Sequence, residues 1–158
     1  MNRLGRHRLR PGHSGVWNIG FNPSVGSDMA TTELTAQTFE QTVLDHDIVL
    51  VDFWASWCGP CRQFAPVYDT ASSSDDNDGI VFGKVDTEAE QSLAQAANIT
   101  SIPTLMAFKE GVLVFAQPGA LPQSGLQDVI NQVKSLDMAP IKKQMAAEAA
   151  AGPGTTTA

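Results

Sequence analysis

Ile48-Val49-Leu50-Val51-Asp52-Phe53-Trp54 is a run of apolar residues broken by a single charge. Its β-branched and apolar content suits a central strand buried on both faces. Just beyond it, Trp57-Cys58-Gly59-Pro60-Cys61 contains both cysteines of the chain, and the residues that follow take helical spacing. A helix is expected to start near Cys58 and run to about Ala71, with a kink at Pro66. Two thiols separated by two residues, the first at the start of a helix, can alternate between dithiol and disulfide while one of them stays reactive.

The sequence on either side alternates between elements. Thr35 reads as the N-cap of a helix through about Asp45, with Phe39, Val43 and Leu44 on one face. Ile80 to Val85 reads as a strand, and Glu88 to Asn98 as an Ala-rich helix with Leu93 and Ala97 facing inward. Thr104 to Lys109 and Val112 to Ala116 flank Glu110-Gly111, a hairpin signal, and Gln123 to Leu136 reads as a last helix. This order predicts an α/β fold: a mixed central β-sheet flanked by helices on both faces. Phe53, Phe64 and Phe82 are expected in the core, as is Trp54.

The length of 158 residues fits one domain with unstructured ends. Residues 1–28 are rich in Arg, Gly, His and Ser, have no acid before Asp28, and lack the apolar core of about 7–15 residues that a secretory signal needs. They are expected to be a disordered extension; an Arg-rich transit peptide and a translation start at Met29 are the alternatives. The domain proper is expected over 29–137, and 138–158, rich in Ala and ending in Gly, Pro and Thr, as a low-complexity, partly helical or disordered tail. No stretch approaches the roughly 18 apolar residues of a membrane span. From Met29 onward 6 Lys and Arg face 16 Asp and Glu, about −10, which disfavours a nucleic-acid surface. With a single close cysteine pair and no secretory signal, a cytoplasmic protein is expected.

Three uses of the cysteine pair compete. A staple is weak, because a disulfide between Cys58 and Cys61 closes too short a loop to restrict the unfolded chain. Zinc or an iron–sulfur cluster would need two more ligands, and His7, His13 and His46 are too dispersed to supply them. In redox use, unpaired N–H groups and the positive end of the helix dipole favour a Cys58 thiolate, so Cys58 would be the nucleophile. Cys61, about one turn further along, would resolve the mixed disulfide. Gly59 admits a partner backbone, and Pro60 stiffens the first turn without removing a needed donor.

The run Val51-Asp52-Phe53-Trp54-Ala55-Ser56-Trp57-Cys58-Gly59-Pro60-Cys61, with Ile102-Pro103-Thr104 and Gly119-Ala120 downstream, resembles the thioredoxin family over roughly Glu33 to Leu136. The resemblance implies the thioredoxin fold and a general protein-disulfide reductase. It also implies no bound cofactor beyond the redox-active disulfide, with reducing equivalents from NADPH through a flavoprotein thioredoxin reductase. Disulfide-containing proteins would be the substrates, and a monomer is expected.

Within that resemblance, individual residues acquire roles. Asp52 is costly in an apolar run unless paired, hydrated or protonated. It is either a strand-end aspartate with ordinary hydrogen bonds or, as the family implies, a proton relay to Cys61 with a raised pKa. Lys84 reads alone as a surface residue and, by resemblance, as a tuner of Asp52. Pro103 could begin an edge strand; the family implies a cis peptide after Ile102, whose main chain would receive an extended substrate. Trp57, Gly59, Pro60, Ile102, Pro103 and Gly119 would form the substrate surface. Arg62 stands where the family often has lysine, and Pro118 where it usually has a hydrogen-bonding residue. A binding module without turnover, and an oxidase or isomerase, are the remaining readings; Gly-Pro between the cysteines resembles the reducing members.

Overall fold

The apolar run is the central strand of a five-stranded sheet in a computed structural model that describes residues 30–152. The strands are β1 (Thr31–Glu33), β2 (Ile48–Trp54), β3 (Val81–Asp86), β4 (Thr104–Lys109) and β5 (Val112–Pro118), in the order β1-β3-β2-β4-β5. β2 runs parallel to β3 and antiparallel to β4, so the sheet is mixed as expected. The readings made for residues 1–28, the start at Met29 and the last residues of the tail lie outside the described residues.

Alternation along β2 divides the core in two. Val49, Val51 and Phe53 face α1 (Phe39–Asp45) and α3 (Gln91–Ala96), packing with Leu34, Val43, Val85 and Met106. Ile48 and Leu50 face α2 (Gly59–Ser72) and α4 (Gln123–Ser135), packing with Phe64, Tyr68, Phe82, Leu105, Leu126 and Ile130. A strand flanked by a helical layer on each side needs apolar residues at both parities, which is why β2 reads as a continuous apolar run. Phe53, Phe64 and Phe82 are all buried. Trp54 at the strand end is half-buried, with its ring under the Lys84 ammonium.

Several boundaries differ from the sequence reading. Thr35 does not cap α1. It opens a turn in which its N–H bonds Thr38 Oγ1, and the helix starts after Thr38. α3 is only Gln91–Ala96, because Asp86 Oδ1 accepts from the N–H groups of Glu88 and Ala89 and holds that segment as turns. β1 was not anticipated: Thr-Thr-Glu has no apolar pattern, and the strand exists through pairing with β3 and the burial of Leu34 just after it. Pro66 does lie inside α2.

The hairpin signal is realised as a two-residue turn between Lys109 and Val112. Glu110 (φ 50°) and Gly111 (φ 80°) both take positive φ, the requirement of the turn whose twist matches paired strands. β5 extends to Pro118, two residues beyond the expected end. The segment read as a tail forms α5 (Met138–Ala151), capped by Asp137. Met138 is buried, and Lys142 pairs with Glu110 of the hairpin turn at 2.8 Å.

Candidate active site

α2 begins where β2 ends, so the end of the sheet presents the head of the helix. Cys58 is the N-cap residue, in extended conformation, and its Sγ accepts the N–H of Cys61 at 3.2 Å. Cys58 N–H in turn donates to Ala55 O at 3.2 Å, and Arg62 N–H to Cys58 O. Pro60 occupies the first helical turn, where a missing N–H costs nothing. The two cysteines are joined as a disulfide with their Cα atoms 5.2 Å apart. Both are buried, against Ala55, Trp54 and Ile102.

A second segment closes over the pair. The Ile102–Pro103 peptide is cis, as the resemblance implied. This places Ile102 O 3.7 Å from Cys58 Sγ. Pro103 O accepts the N–H of Gly119 at 2.8 Å, tying the end of β5 to the cis-proline segment. Gly119 has φ 102°, a conformation costly for any residue with a Cβ. Pro118 lies opposite Thr104 in the β4–β5 register and has no N–H to give its neighbour strand. Trp57 is 64% exposed beside the cysteines. Its indole N–H donates to Glu88 Oε1 at 2.5 Å.

Behind the disulfide lies the carboxylate. Asp52 is 1% exposed, and its Oδ1 has no hydrogen-bond partner. It shares a cavity of about 90 Å³ with Cys61, Trp54, Ala55, Arg62, Ala65 and Lys84. Burial pushes its carboxyl up to about 7; the Lys84 ammonium opposes that shift, and Asp69 and Glu33 add to it. Lys84 stands beside Asp52 in the β2–β3 register, with its Nζ 5.0 Å from the Trp54 ring centroid. Among the described residues, no ion pair joins it to Asp52, and no group of three His, Cys, Asp or Glu is placed to hold a metal.

Cys58, Cys61, Gly59, Pro60, Ile102, Pro103, Gly119 and Trp57 therefore meet at one end of the sheet, with Asp52 and Lys84 behind them. Sequence reasoning missed Glu88, and it read Arg62 only as a change from the family's lysine, not as part of the Asp52 cavity wall. Glu88 sits in the turns after β3, where spacing carries no signal of a bond to a tryptophan 31 residues earlier. Such contacts exist only once the strands are ordered.

The thioredoxin family model matches residues 30–132. A putative thioredoxin 2 of Streptomyces coelicolor is 57% identical over 121 residues, which cover 77% of this chain and 89% of that one. Thioredoxin 1 of Nostoc is 44% identical over 104 residues, 65% of this chain and 96% of its own. A solved structure of a mutant thioredoxin from Halobacterium salinarum shares the fold with a TM-score of 0.62 at 32% identity, covering 70% of this chain and 95% of that one. Fold, cysteine pair and relatives agree: the chain belongs to the thioredoxin family and is a disulfide oxidoreductase with Cys58 and Cys61 as its redox-active pair.

Proposed function

We propose that this oxidoreductase is a general protein-disulfide reductase in which Cys58 attacks, Cys61 resolves and Asp52 relays the proton of Cys61. The observation that carries this reading is the cavity shared by Cys61 and the unpartnered oxygen of Asp52. It gives the carboxyl a route to the resolving thiol and has room for water between them.

In the reduced protein the Cys58 thiolate, stabilised at the head of α2, attacks one sulfur of a substrate disulfide. A bond forms between Cys58 Sγ and that sulfur, and the other substrate sulfur leaves as thiolate and takes a proton from solvent. Cys61 then loses its proton to the Asp52 carboxylate and attacks Cys58 Sγ. The mixed disulfide breaks, the second substrate sulfur leaves as thiolate and takes a proton from solvent, Asp52 returns its proton to solvent, and the Cys58–Cys61 disulfide remains. Ile102 and the cis-Pro103 segment offer main-chain groups to an extended substrate, with Trp57, Gly59, Pro60 and Gly119 around them; main-chain recognition supports broad specificity. Lys84 opposes protonation of Asp52.

Two electrons then return from NADPH through a flavoprotein thioredoxin reductase. The protein works as a cytoplasmic monomer on disulfide-containing proteins. Its acidic charge is unsuited to nucleic acid, and no helix is long and apolar enough to cross a membrane among the described residues.

NADPH-coupled insulin reduction with a thioredoxin reductase tests the reading. The wild type should turn over, and Cys61→Ser should accumulate a mixed disulfide through Cys58. A wild type that binds insulin without reducing it would reassign the domain as a binding module.

A further inference from the structure

Asp52 and Lys84 are two members of a row of three charges. Lys84 lies opposite Asp52 in the β2–β3 register and opposite Glu33 in the β1–β3 register. Directly opposed residues of parallel strands point to the same face, and strands lie about 4.8 Å apart, so Glu33 and Asp52 stand on either side of Lys84 with their backbone positions roughly 10 Å apart. The bond from Leu34 N–H to Lys84 O at 2.8 Å fixes β1 at this register. The Lys84 ammonium lies over the Trp54 ring, 5.0 Å from its centroid. Asp52 is sealed inside, whereas Glu33 is on the exposed edge strand.

We propose that Glu33 is a positioning residue of this site, which shares the Lys84 ammonium with Asp52 from the edge strand and so sets how much of that charge reaches the buried carboxyl. The assignment rests on the relay reading for its effect on turnover, but the sharing itself does not. Three electrostatic relations accord with the geometry. Lys84 holds both carboxyls down, Glu33 pushes Asp52 up, and partial burial, the largest influence on Glu33, pushes it up too. The other charged groups facing Asp52 are Asp69, which also raises it, and Arg62, on the cavity wall; both belong to α2. Asp86 faces Glu33 and raises it.

Removing Glu33 acts on Asp52 in two ways of the same sign. A negative charge disappears, and the lysine is no longer shared with the edge strand. The test is the Asp52 carboxyl titration followed by carbon NMR in the full-length oxidised protein, with the pH dependence of mixed-disulfide resolution measured alongside. Glu33→Gln should lower the Asp52 midpoint by about 0.3–0.6 pH unit, and Glu33→Lys by about twice that, while Glu33→Asp should stay near wild type. In a Lys84→Met background the Glu33→Gln shift should shrink to less than half. An Asp52 midpoint unmoved by Glu33→Gln and Glu33→Lys overturns the inference, as does a shift undiminished without Lys84. If the midpoint moves as stated but the rate profile does not follow, the shared lysine stands and the relay reading fails.

Discussion

Two buried charges lie on the same face of this sheet and are treated in opposite ways. Lys109, at the end of β4 beside the hairpin, donates from Nζ to the carbonyls of Val133, Lys134 and Leu136 at 2.8–2.9 Å. All three of its protons are used, and its charge sits at the negative end of α4. Asp52, four positions up the sheet in the β2–β4 register, has an oxygen with no partner and only the Lys84 ammonium over the neighbouring Trp54 ring nearby. A buried charge whose bonds are complete fastens one element to another. One left incomplete keeps its proton exchangeable near neutral pH, which a stabilising role would not require.

The comparison breaks most visibly at Lys109. Lys109→Met leaves three carbonyls at the end of α4 without their donor and should cost about 3–5 kcal/mol, by the same amount at pH 5 and pH 8. Urea unfolding at both pH values measures it. Disulfide reduction by the folded fraction should be unchanged, since Lys109 lies at the opposite end of the strand from the cysteines. A loss under about 1 kcal/mol would show that water satisfies these carbonyls as well as the lysine does.

Asp52→Asn should move stability the other way, and only at high pH. Below about 4 the carboxyl is protonated in folded and unfolded chains alike, so the folded state bears no charge penalty. As pH rises toward 7 the unfolded chain ionises while the folded one holds its proton, and wild-type stability falls; above about 7 the full deficit remains. Three units of raised pKa correspond to about 4 kcal/mol, so the variant should be about 2–4 kcal/mol more stable than wild type at pH 8 and equal to it at pH 4. Resolution of the mixed disulfide should climb through pH 7 in wild type and lose that rise in Asp52→Asn. A stability difference that does not vary between pH 4 and 8 would put Asp52 in the same class as Lys109.

How much of this contrast was legible in the sequence follows from how far apart the partners lie along the chain. Asp52 stood out because six apolar neighbours surround it within one strand, and the cysteine pair because its spacing is local. Gly111 and Glu110 announced their turn for the same reason. Lys109 drew no attention: it ends a strand, as exposed lysines commonly do, and only the docking of α4 24 to 27 residues later buries it. β1 was invisible because a polar tripeptide becomes a strand only when β3 offers it hydrogen bonds. The start of α1 moved from Thr35 to Thr38 because Thr38 Oγ1 accepts the N–H of Thr35 and Thr35 O accepts from Thr38 and Phe39, which holds Thr35 to Thr38 as a turn ahead of the helix. The cis bond at Pro103 came from resemblance alone.

The smallest expected effect concerns a bond at the rim of the site. Trp57 is exposed, so its hydrogen bond to Glu88 adds little to folding; what it fixes is the orientation of the ring beside the cysteines. A ring left free must be ordered when a substrate settles on it, at a cost of about 0.5–1.5 kcal/mol. Glu88→Ala should therefore raise KM for protein disulfides about 2- to 10-fold with kcat nearly unchanged, whereas Glu88→Gln, which keeps a neutral acceptor, should fall between it and wild type. Unfolding midpoints of both variants should stay within about 0.5 kcal/mol of wild type. Steady-state insulin reduction separates the two constants. A fall in kcat with KM unchanged would mean that the carboxylate acts on the cysteine chemistry, making Glu88 a neighbour of Asp52 in function and leaving the rim without a role in binding.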